Sequence, residues 1–493
     1  MTDLAQETTD GRTAIAERSI PAQNGSLASL RYERVQASLP ETDVVVAGSY
    51  MLQLMLRNIA TDGFTFVDPM DVSRRSRPGC VLASPSYPAN LSSIDQFYVY
   101  HWTRDAAITA MELARQPVAL TPKGISQSLC DYVAFTQACQ QSALGGNTFY
   151  RACYLIDGTL RPWSDQMDGP ALENLAFIDA WPRLDAAARA TAKTVAQQNL
   201  DRLVEDLMAH DAFNIYGMYN LWEEVMGPSF FARAVQLRCL KEAQSTNALQ
   251  LALPAGLGQA VDELSAALDG HWDAGRGLYA SMPNGRLPAG SLLPDLSGYD
   301  PNIDIVSACI YGAVPCTDPK LLATAAKVRA AYEPGGACPY PVNSTDQGMN
   351  IGPLIGRYPA DRYDGDVGHD VQRPTTGHPW VLCTANFAEL YYRLARSFEA
   401  GEGVAYDDLT AAFFDQLRSD ELPVDATMVN DPAKGGTVGQ ALREAGDRMM
   451  GALIYHSDHY ELSEQFDASS GYEKSVTNLT WSYAAYLSAA RAR

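Results

Sequence analysis

The amino-acid sequence predicts one large all-α domain. Apolar residues recur at the three- and four-residue spacing of amphipathic helices. One clear series is Leu200, Leu203, Val204, Leu207 and Met208. The sequence lacks the alternation of strand and helix patterns that accompanies a parallel sheet. The chain has 493 residues, more than the ~250–300 at which a single core usually stops growing, so one domain of this length requires a large ring of repeated elements.

The predicted elements run from a polar N-terminal arm, residues 1–40, into a helical domain over residues 41–493. Helices are predicted near 47–60, 105–116, 125–133, 170–180, 200–208, 229–248, 250–269, 300–312, 321–332, 380–397, 405–418, 437–455 and 477–490. Asp318 and Pro319 suit the N-cap and first position of one of these helices. Proline- and glycine-rich loops such as 335–379 separate the helices. Because loops longer than ~12–15 residues are usually functional in a compact domain, we expect the chemistry in the loops.

The chain is strongly acidic. Its net charge is −21, from 58 acidic and 37 basic residues. Nucleic acids and anionic membrane surfaces both attract clustered lysine and arginine, so this balance argues against either partner. No run approaches the ~20 apolar residues that a membrane-spanning helix needs. The charge suits a neutral ligand, and we expect a monomer that binds no nucleic acid and no membrane.

The first residues and the cysteines bear on the compartment. The start of the chain is polar and acidic, without the basic and apolar segments of a secretory signal. The nine cysteines are an odd number without paired spacing, which favours reduced thiols. We expect a cytoplasmic protein for the sequence as written, or a secreted one if the sequence is a trimmed mature form.

The most informative segment is 219–231, which contains two adjacent carboxylates, Glu223 and Glu224, after Trp222. Pro228 suits the first position of a helix, so both carboxylates should lie in the loop just before that helix. Neighbouring side chains of an extended segment point in opposite directions. One carboxylate can therefore act on a scissile bond while the other binds, which indicates acid catalysis on an uncharged substrate.

Further loops concentrate carboxylates, arginines and aromatic residues. They are 98–105, 163–170, 356–359 with 378–380, and 463–467. Sugars are bound by this mixture, because aromatic faces stack on the C–H surfaces of the ring and charged planar groups bind vicinal hydroxyls. Each loop alone could be a helix entrance or an ordinary surface carboxylate, and only the combination favours a sugar site. Histidines near 456–459 lack a convincing metal-ligand pattern, so we expect neither metal nor cofactor.

Six segments resemble the glucoamylases of glycoside hydrolase family 15, in particular the fungal type of catalytic domain. They are Tyr98–Asp105, Asp168–Leu172, Leu221–Phe231, Gly356–Pro359, Pro379–Cys383 and Ser463–Trp481. The resemblance runs from about residue 45 to the C-terminus. It implies an (α/α)6 barrel of two concentric helix rings, which would explain why the chain need not divide into domains. It also implies inverting hydrolysis that releases β-D-glucose from the non-reducing ends of α-1,4-linked gluco-oligosaccharides, with α-1,6 bonds as an additional candidate linkage.

The resemblance also assigns roles to individual residues. Glu223 matches the general acid and Glu464 the general base, which an inverting enzyme holds ~6.5–9.5 Å apart to leave room for water. Glu224 matches a carboxylate that binds a substrate hydroxyl. The full set of implied substrate-binding residues is Tyr98, Trp102, Arg104, Asp105, Trp163, Asp168, Trp222, Glu224, Arg357, Trp380 and Trp481.

The chain departs from the family pattern at several places. Asn220 stands where fungal enzymes usually have Asp, and segment 163–170 lacks two arginines, with Trp163 as a stand-in for the tryptophan that caps the pocket. No starch-binding module is expected, which favours soluble oligosaccharides over granular starch. On the same fold, a trehalase or an α-1,6-specific glucohydrolase is the nearest alternative. An inverting phosphorylase is disfavoured by Glu464, and a non-catalytic glycan-binding protein would normally have lost one of the two carboxylates.

Overall fold

The computed structural model describes residues 14–21, 27–34, 41–85, 98–117, 124–210, 217–365, 377–417 and 424–493. The rest of the predicted N-terminal arm and part of loop 335–379 lie outside these residues. Within the arm, strand β1 (Ala14–Pro21) pairs antiparallel with β2 (Leu27–Arg34). Three further two-residue strand pairs lie at loop ends: β3 (His101–Trp102) with β4 (Cys153–Tyr154), β5 (Trp272–Asp273) with β6 (Leu278–Tyr279), and β7 (Gln465–Phe466) with β8 (Glu473–Lys474).

The remaining regular structure is helical. The helices are α1 (Glu41–Leu56), α2 (Thr103–Arg115), α3 (Ile125–Gly145), α4 (Gly169–Ala180), α5 (Ala186–Ala209), α6 (Phe230–Ser245), α7 (Leu257–Asp269), α8 (Asp304–Tyr311), α9 (Pro319–Tyr332), α10 (Pro341–Gly348), α11 (Val381–Glu399), α12 (Ala411–Asp415), α13 (Ala426–Val429), α14 (Gly435–His456) and α15 (Thr480–Ala492).

Two concentric rings of helices form the molecule. In the inner ring α2, α4, α6, α8, α11 and α15 each pack on the next, and α15 closes the ring against α2. Helices α1, α3, α5, α7, α9 and α14 pack on the outside, each against an inner helix. This is the (α/α)6 barrel implied by the sequence resemblance, and that prediction is confirmed. The closed ring lets one chain of this length share a continuous core.

Burial follows this arrangement. Helix α4 is apolar or small on nearly every side, and ten of its residues are buried, as expected for a helix enclosed by neighbours. Outer helix α7 buries only Leu257, Ala260, Val261 and Leu264, a single stripe facing the inner ring. None of the helices in the described ranges combines the length and the apolar content that crossing a bilayer would need.

Two predicted helix starts can be compared with the observed N-caps: one is correct, at α9, and one is not, at α6. Asp318 caps α9 by accepting a hydrogen bond from the backbone N–H of Lys320, with Pro319 first in the helix, as predicted. Pro228 was predicted to open α6, and this is wrong. The hydroxyl of Ser229 accepts the backbone N–H of Ala232 at 3.3 Å, so Ser229 is the N-cap and Pro228 lies before it.

Other helix boundaries also differ from the prediction. The segment 405–418 contains only the short helix α12, because the side chain of Asp407 accepts the backbone N–H groups of Leu409 and Thr410 and holds a turn instead. Helix α7 starts at Leu257 rather than near 250, after Gly256 in a left-handed conformation. Helix α10 lies inside the predicted loop 335–379, where its polar sequence gave no apolar periodicity.

Candidate active site

One cavity of about 290 Å³ collects the predicted site residues at the N-terminal end of the inner ring. Its walls come from residues that precede or open α2, α6, α11 and α15, together with Trp163 from the loop before α4. All predicted site residues except Asp168 line it. The lining consists of Ala83, Tyr98, Trp102, Arg104, Asp105, Trp163, Leu221, Trp222, Glu223, Glu224, Arg357, Tyr363, Trp380, Leu382, Glu464, Leu479 and Trp481.

The two adjacent carboxylates lie on a tight turn, as a loop before α6 requires, but not on an extended segment. Glu223 has a φ of 62°, in the left-handed region. Asn220 fixes this turn: its carbonyl accepts the Glu223 N–H at 3.0 Å, and its side-chain oxygen accepts the N–H groups of Glu224 and Val225 at 3.2 Å. The Asn220 amide also donates to the Tyr299 hydroxyl. Both carboxylates therefore reach the same cavity from one turn.

Three neutral N–H groups hold the Glu223 carboxyl. The indole of Trp102 donates to Oε1 at 3.2 Å and the amide of Gln166 donates to the same oxygen at 2.7 Å. The indole of Trp163 donates to Oε2 at 2.8 Å. Trp163 therefore contacts the Glu223 carboxyl group directly. These bonds fix the carboxyl against the cavity wall.

Glu464 is held by hydroxyl donors instead. The phenol of Tyr98 donates to Oε1 at 2.9 Å, and the Ser475 hydroxyl donates to Oε2 at 2.6 Å. Burial raises the pKa of Glu464, while the hydrogen bonds from Ser475 and Tyr98 act in the opposite direction. The backbone is also fixed, because the Glu464 N–H donates to Val476 and its carbonyl accepts from Val381.

Glu224 belongs to a second cluster around Arg357. The Arg357 guanidinium donates to Glu224 at 2.8 Å and makes two bonds with Asp361, at 2.8 and 2.6 Å. The Tyr358 hydroxyl donates to the other Glu224 oxygen. The guanidinium also lies 4.8 Å from the ring centre of Trp380. Burial raises the pKa of Glu224 and the charge of Arg357 opposes that shift. This geometry presents a fixed pair of opposite charges to a ligand hydroxyl.

Arg104 and Asp105 open helix α2 at the cavity. Arg104 donates to Gln166 at 2.6 Å and to Asp168 at 2.7 Å, so Asp168 is buried behind Arg104 and outside the cavity lining. Gln166 therefore bridges Arg104 and Glu223. Burial raises the pKa of Asp105 to about 7, while Arg104 acts in the opposite direction.

Comparison with models of protein families identifies the family of this chain. The model described as Glycosyl hydrolases family 15 matches residues 50–491. The chain belongs to this family.

Relatives of this family 15 hydrolase match over most of its length. It is 26% identical to a probable glucoamylase of Schizosaccharomyces pombe, over 88% of each chain. It is 25% identical to an intracellular sporulation-specific glucoamylase of Saccharomyces cerevisiae, over 87% of this chain and 81% of the relative. The solved structure of a Saccharomycopsis fibuligera glucoamylase aligns with a TM-score of 0.71 at 21% identity, over 92% of this chain and 96% of that one. This last likeness concerns the fold.

Several residues of the hydrolase site were not singled out from the sequence. Tyr363 lines the cavity, Asp361 binds Arg357, and Ser475 binds Glu464. Gln166 and Tyr358 lay within the predicted loops, but no pattern marked them as ligands of a carboxyl group. Of these residues, only Gln166 could have been noticed in the sequence, because it is the single side-chain amide in loop 163–170, which was already predicted to contact sugar.

Each histidine of the segment 456–459 lies beside a carboxylate. His456 lies 2.8 Å from Asp346. Within the described ranges, no group of three or more His, Cys, Asp or Glu side chains is placed to hold a metal ion.

Proposed function

We propose that this protein is an exo-acting, inverting α-glucosidase of the glucoamylase type. It releases β-D-glucose from the non-reducing ends of α-1,4-linked gluco-oligosaccharides, and the isomaltose assay described below tests α-1,6 bonds as well. The observation that carries the proposal is the placement of Glu223 and Glu464 on one cavity, each held by its own set of neutral donors. Membership of family 15 supports the same chemistry.

Glu223 acts as the general acid. Its Oε2 accepts one hydrogen bond in the described structure, from Trp163, and so has room for the transferable proton. Glu223 gives that proton to the glycosidic oxygen as the bond to the anomeric carbon breaks. Glu464, in its ionised form, takes a proton from the water that attacks the same carbon from the opposite face. The product is glucose with inverted anomeric configuration.

The remaining lining suits a cavity that holds only the terminal sugar of the substrate chain. Arg104 with Asp105, and Arg357 with Glu224, offer charged donors and acceptors to ring hydroxyls. Trp102, Trp222, Trp380 and Trp481 provide the aromatic walls on which a sugar ring stacks. A cavity of about 290 Å³ is small for a ligand site, where ~300–1,000 Å³ is usual. We infer that it accepts one ring and leaves the rest of the chain outside.

The test is product analysis over time on maltoheptaose, with maltose, isomaltose and trehalose in parallel. We expect glucose as the released sugar from the first minutes, accompanied by progressively shorter oligomers. Glu223→Gln and Glu464→Gln should each lower kcat by at least about a hundredfold. Maltose or maltotriose as first products would refute the release of single glucose units, and turnover confined to trehalose would favour a trehalase. Glucose 1-phosphate formed only with added phosphate would favour a phosphorylase.

We also propose that residues 41–493 act as one catalytic domain, and that the protein works as a monomer in a reducing cytoplasm. Support comes from buried thiols that form no disulfide, including Cys139, Cys153 and Cys239. Burial raises the pKa of Cys153 to about 12, which keeps this thiol protonated and unreactive. Light scattering of the purified protein tests the monomer, and a dimer at micromolar concentration would contradict it.

A further inference from the structure

A second cavity, of about 540 Å³, is lined by five arginines, and we call it the basal arginine cavity. The arginines are Arg115, Arg238, Arg393, Arg396 and Arg491. Glu389 is the carboxylate among its lining residues. Such a concentration of positive charge contrasts with a chain whose net charge is −21.

The basal arginine cavity lies at the opposite end of the inner ring from the candidate active site. Helix α2 carries Arg104 in its first turn, at the active site, and Arg115 in its last turn, at the arginine cavity. Helix α15 likewise carries Trp481 at one end and Arg491 at the other. At 1.5 Å per residue, each pair is separated by about 15–17 Å along the helix axis. The two cavities are therefore separate sites.

Carboxylates neutralise three of the five guanidiniums. The pairs are Arg115 with Asp179 at 2.6 Å, Arg393 with Glu389 at 2.6 Å, and Arg491 with Glu112 at 3.0 Å. These pairs fix the side chains around the cavity and leave the other two guanidiniums to determine its net charge.

Arg238 and Arg396 have no carboxylate within ion-pair distance among the described residues. Each instead donates to a backbone carbonyl at 2.9 Å, Arg238 to Tyr311 and Arg396 to Arg491. A carbonyl accepts one of the five N–H groups of an arginine and does not cancel its charge. Burial lowers the pKa of Arg238, and the charge of Arg115 adds to that shift while Asp179 and Glu242 oppose it. The cavity thus holds surplus positive charge and unused donors.

We propose that the basal arginine cavity binds a small phosphorylated anion. Guanidinium groups bind phosphoryl oxygens through paired N–H donors, and two unneutralised arginines match a ligand with at least two negative charges. A volume of about 540 Å³ is within the range of small-molecule sites. The proposed glucosidase substrate is neutral and has no negative charge to pair with these arginines. The ligand of this cavity therefore belongs to a different chemical class.

Thiol labelling provides a direct test, because a half-buried cysteine lies in the cavity wall. Cys316 lines the cavity, and Cys130 on α3 is a similarly half-buried thiol outside it. Pyrophosphate, at ionic strength held constant with sodium chloride, should slow the reaction of N-ethylmaleimide with Cys316 in a saturable way. The rate at Cys130 should not change. Orthophosphate and glucose 1-phosphate in parallel report whether one phosphoryl group is sufficient.

Arginine variants test whether the protection of Cys316 by pyrophosphate depends on the unpaired arginines. Arg396→Gln and Arg238→Gln should each raise the pyrophosphate concentration that half-protects Cys316 by about tenfold or more. Arg276→Gln removes an exposed arginine paired with Asp273 elsewhere on the surface and should leave it unchanged. Arg396 is exposed, so its variant decides the question even if Arg238→Gln fails to fold.

Two results would overturn the proposal. One is a Cys316 labelling rate that pyrophosphate, orthophosphate and glucose 1-phosphate all leave unchanged, which would mean that the arginines serve only to cap helix C-termini. The other is equal protection of Cys316 in wild type and in Arg396→Gln.

Discussion

The two carboxyl groups proposed for catalysis have different neighbours although they share one cavity. Glu223 accepts N–H groups from two indoles and an amide, whereas Glu464 accepts hydroxyl groups from Tyr98 and Ser475. The pKa of Tyr98 is raised well above its usual value, mainly by burial, so its phenol stays protonated and remains a donor. Because the two carboxyl groups have different donors, a single substitution can change the properties of one carboxyl group without changing those of the other.

Ser475→Ala should move the acidic limb of the pH profile to higher pH. The Ser475 hydroxyl lowers the pKa of Glu464, so its loss lets burial raise that pKa further. Glu464 must be ionised to act as the base. In the variant a larger fraction of Glu464 is protonated at low pH than in wild type, so activity falls at a higher pH. The measurement is kcat/KM on maltose across pH. Ser470→Ala, which removes a hydrogen bond to Asp467 instead, is the matched control and should leave the limb in place.

Trp163→Phe should lower kcat more than it raises KM. The substitution keeps an aromatic ring and removes the indole N–H that positions Glu223. Losing a hydrogen bond to a carboxyl group of this kind costs about tenfold to a hundredfold in rate. Steady-state kinetics on maltose check the prediction. Trp181→Phe, outside the cavity, is the control. An unchanged kcat with a raised KM would show that Trp163 only stacks on the sugar.

The residues whose place on the cavity could be predicted from the sequence are those in continuous motifs. Glu223, Glu224 and Trp222 are neighbours along the chain, so a common site for them could be inferred without coordinates. Ser475 contacts Glu464, and Tyr363 lines the cavity, only because separate loops come together in the folded protein. No local pattern distinguishes them from ordinary loop residues.

The inner helices share a direction, and this explains the position of the site. The loops that carry the site residues all precede or open inner-ring helices, so the N-terminal ends of those helices surround the cavity. Helix N-termini carry partial positive charge, which helps to hold several carboxylates close together. Long helices with clear periodicity, such as α11 and the C-terminal part of α5, could be predicted. Boundaries set by side-chain hydrogen bonds, at Ser229 and Asp407, could not.

Asp304, the first residue of α8, should make stability depend on pH. Burial raises its pKa in the folded protein to about 7, above the ordinary 3.8. Between these two values the folded state keeps a proton that the unfolded state has lost, so raising the pH lowers stability. Asp304→Asn should reduce this loss by up to about 1.4 kcal/mol per pH unit.

Urea unfolding of wild type and Asp304→Asn from about pH 5 to about pH 7 measures the effect. Asp295→Asn, at an exposed position, is the control and should match wild type over that range. Parallel pH dependences for wild type and Asp304→Asn would show that Asp304 is already ionised in the folded protein.

At the scale of the whole molecule, the two ends of the barrel differ in charge. The active-site cavity is lined by four carboxylates and two arginines, and the basal arginine cavity by five arginines and one carboxylate. Inner helices such as α2 and α15 cross from one end to the other and carry residues of both cavities. The ring itself followed from the family resemblance, since periodicity alone predicts helices but not their closure.

Salt should therefore affect the two ends differently. The proposed substrate is uncharged, so kcat/KM on maltose should stay within about twofold between low and physiological ionic strength. Protection of Cys316 by pyrophosphate should weaken over the same range, because it depends on charge attraction. A strong fall in kcat/KM with sodium chloride would contradict a neutral substrate.

The central claim is that Glu223 and Glu464 act from opposite faces of one bound sugar. Proton NMR of maltose hydrolysis, recorded in the first minutes before mutarotation, tests it most directly. We predict that the glucose released from the non-reducing end appears first as the β-anomer. An initial excess of the α-anomer would mean retention of configuration and would contradict the assignment of an acid and a water-activating base.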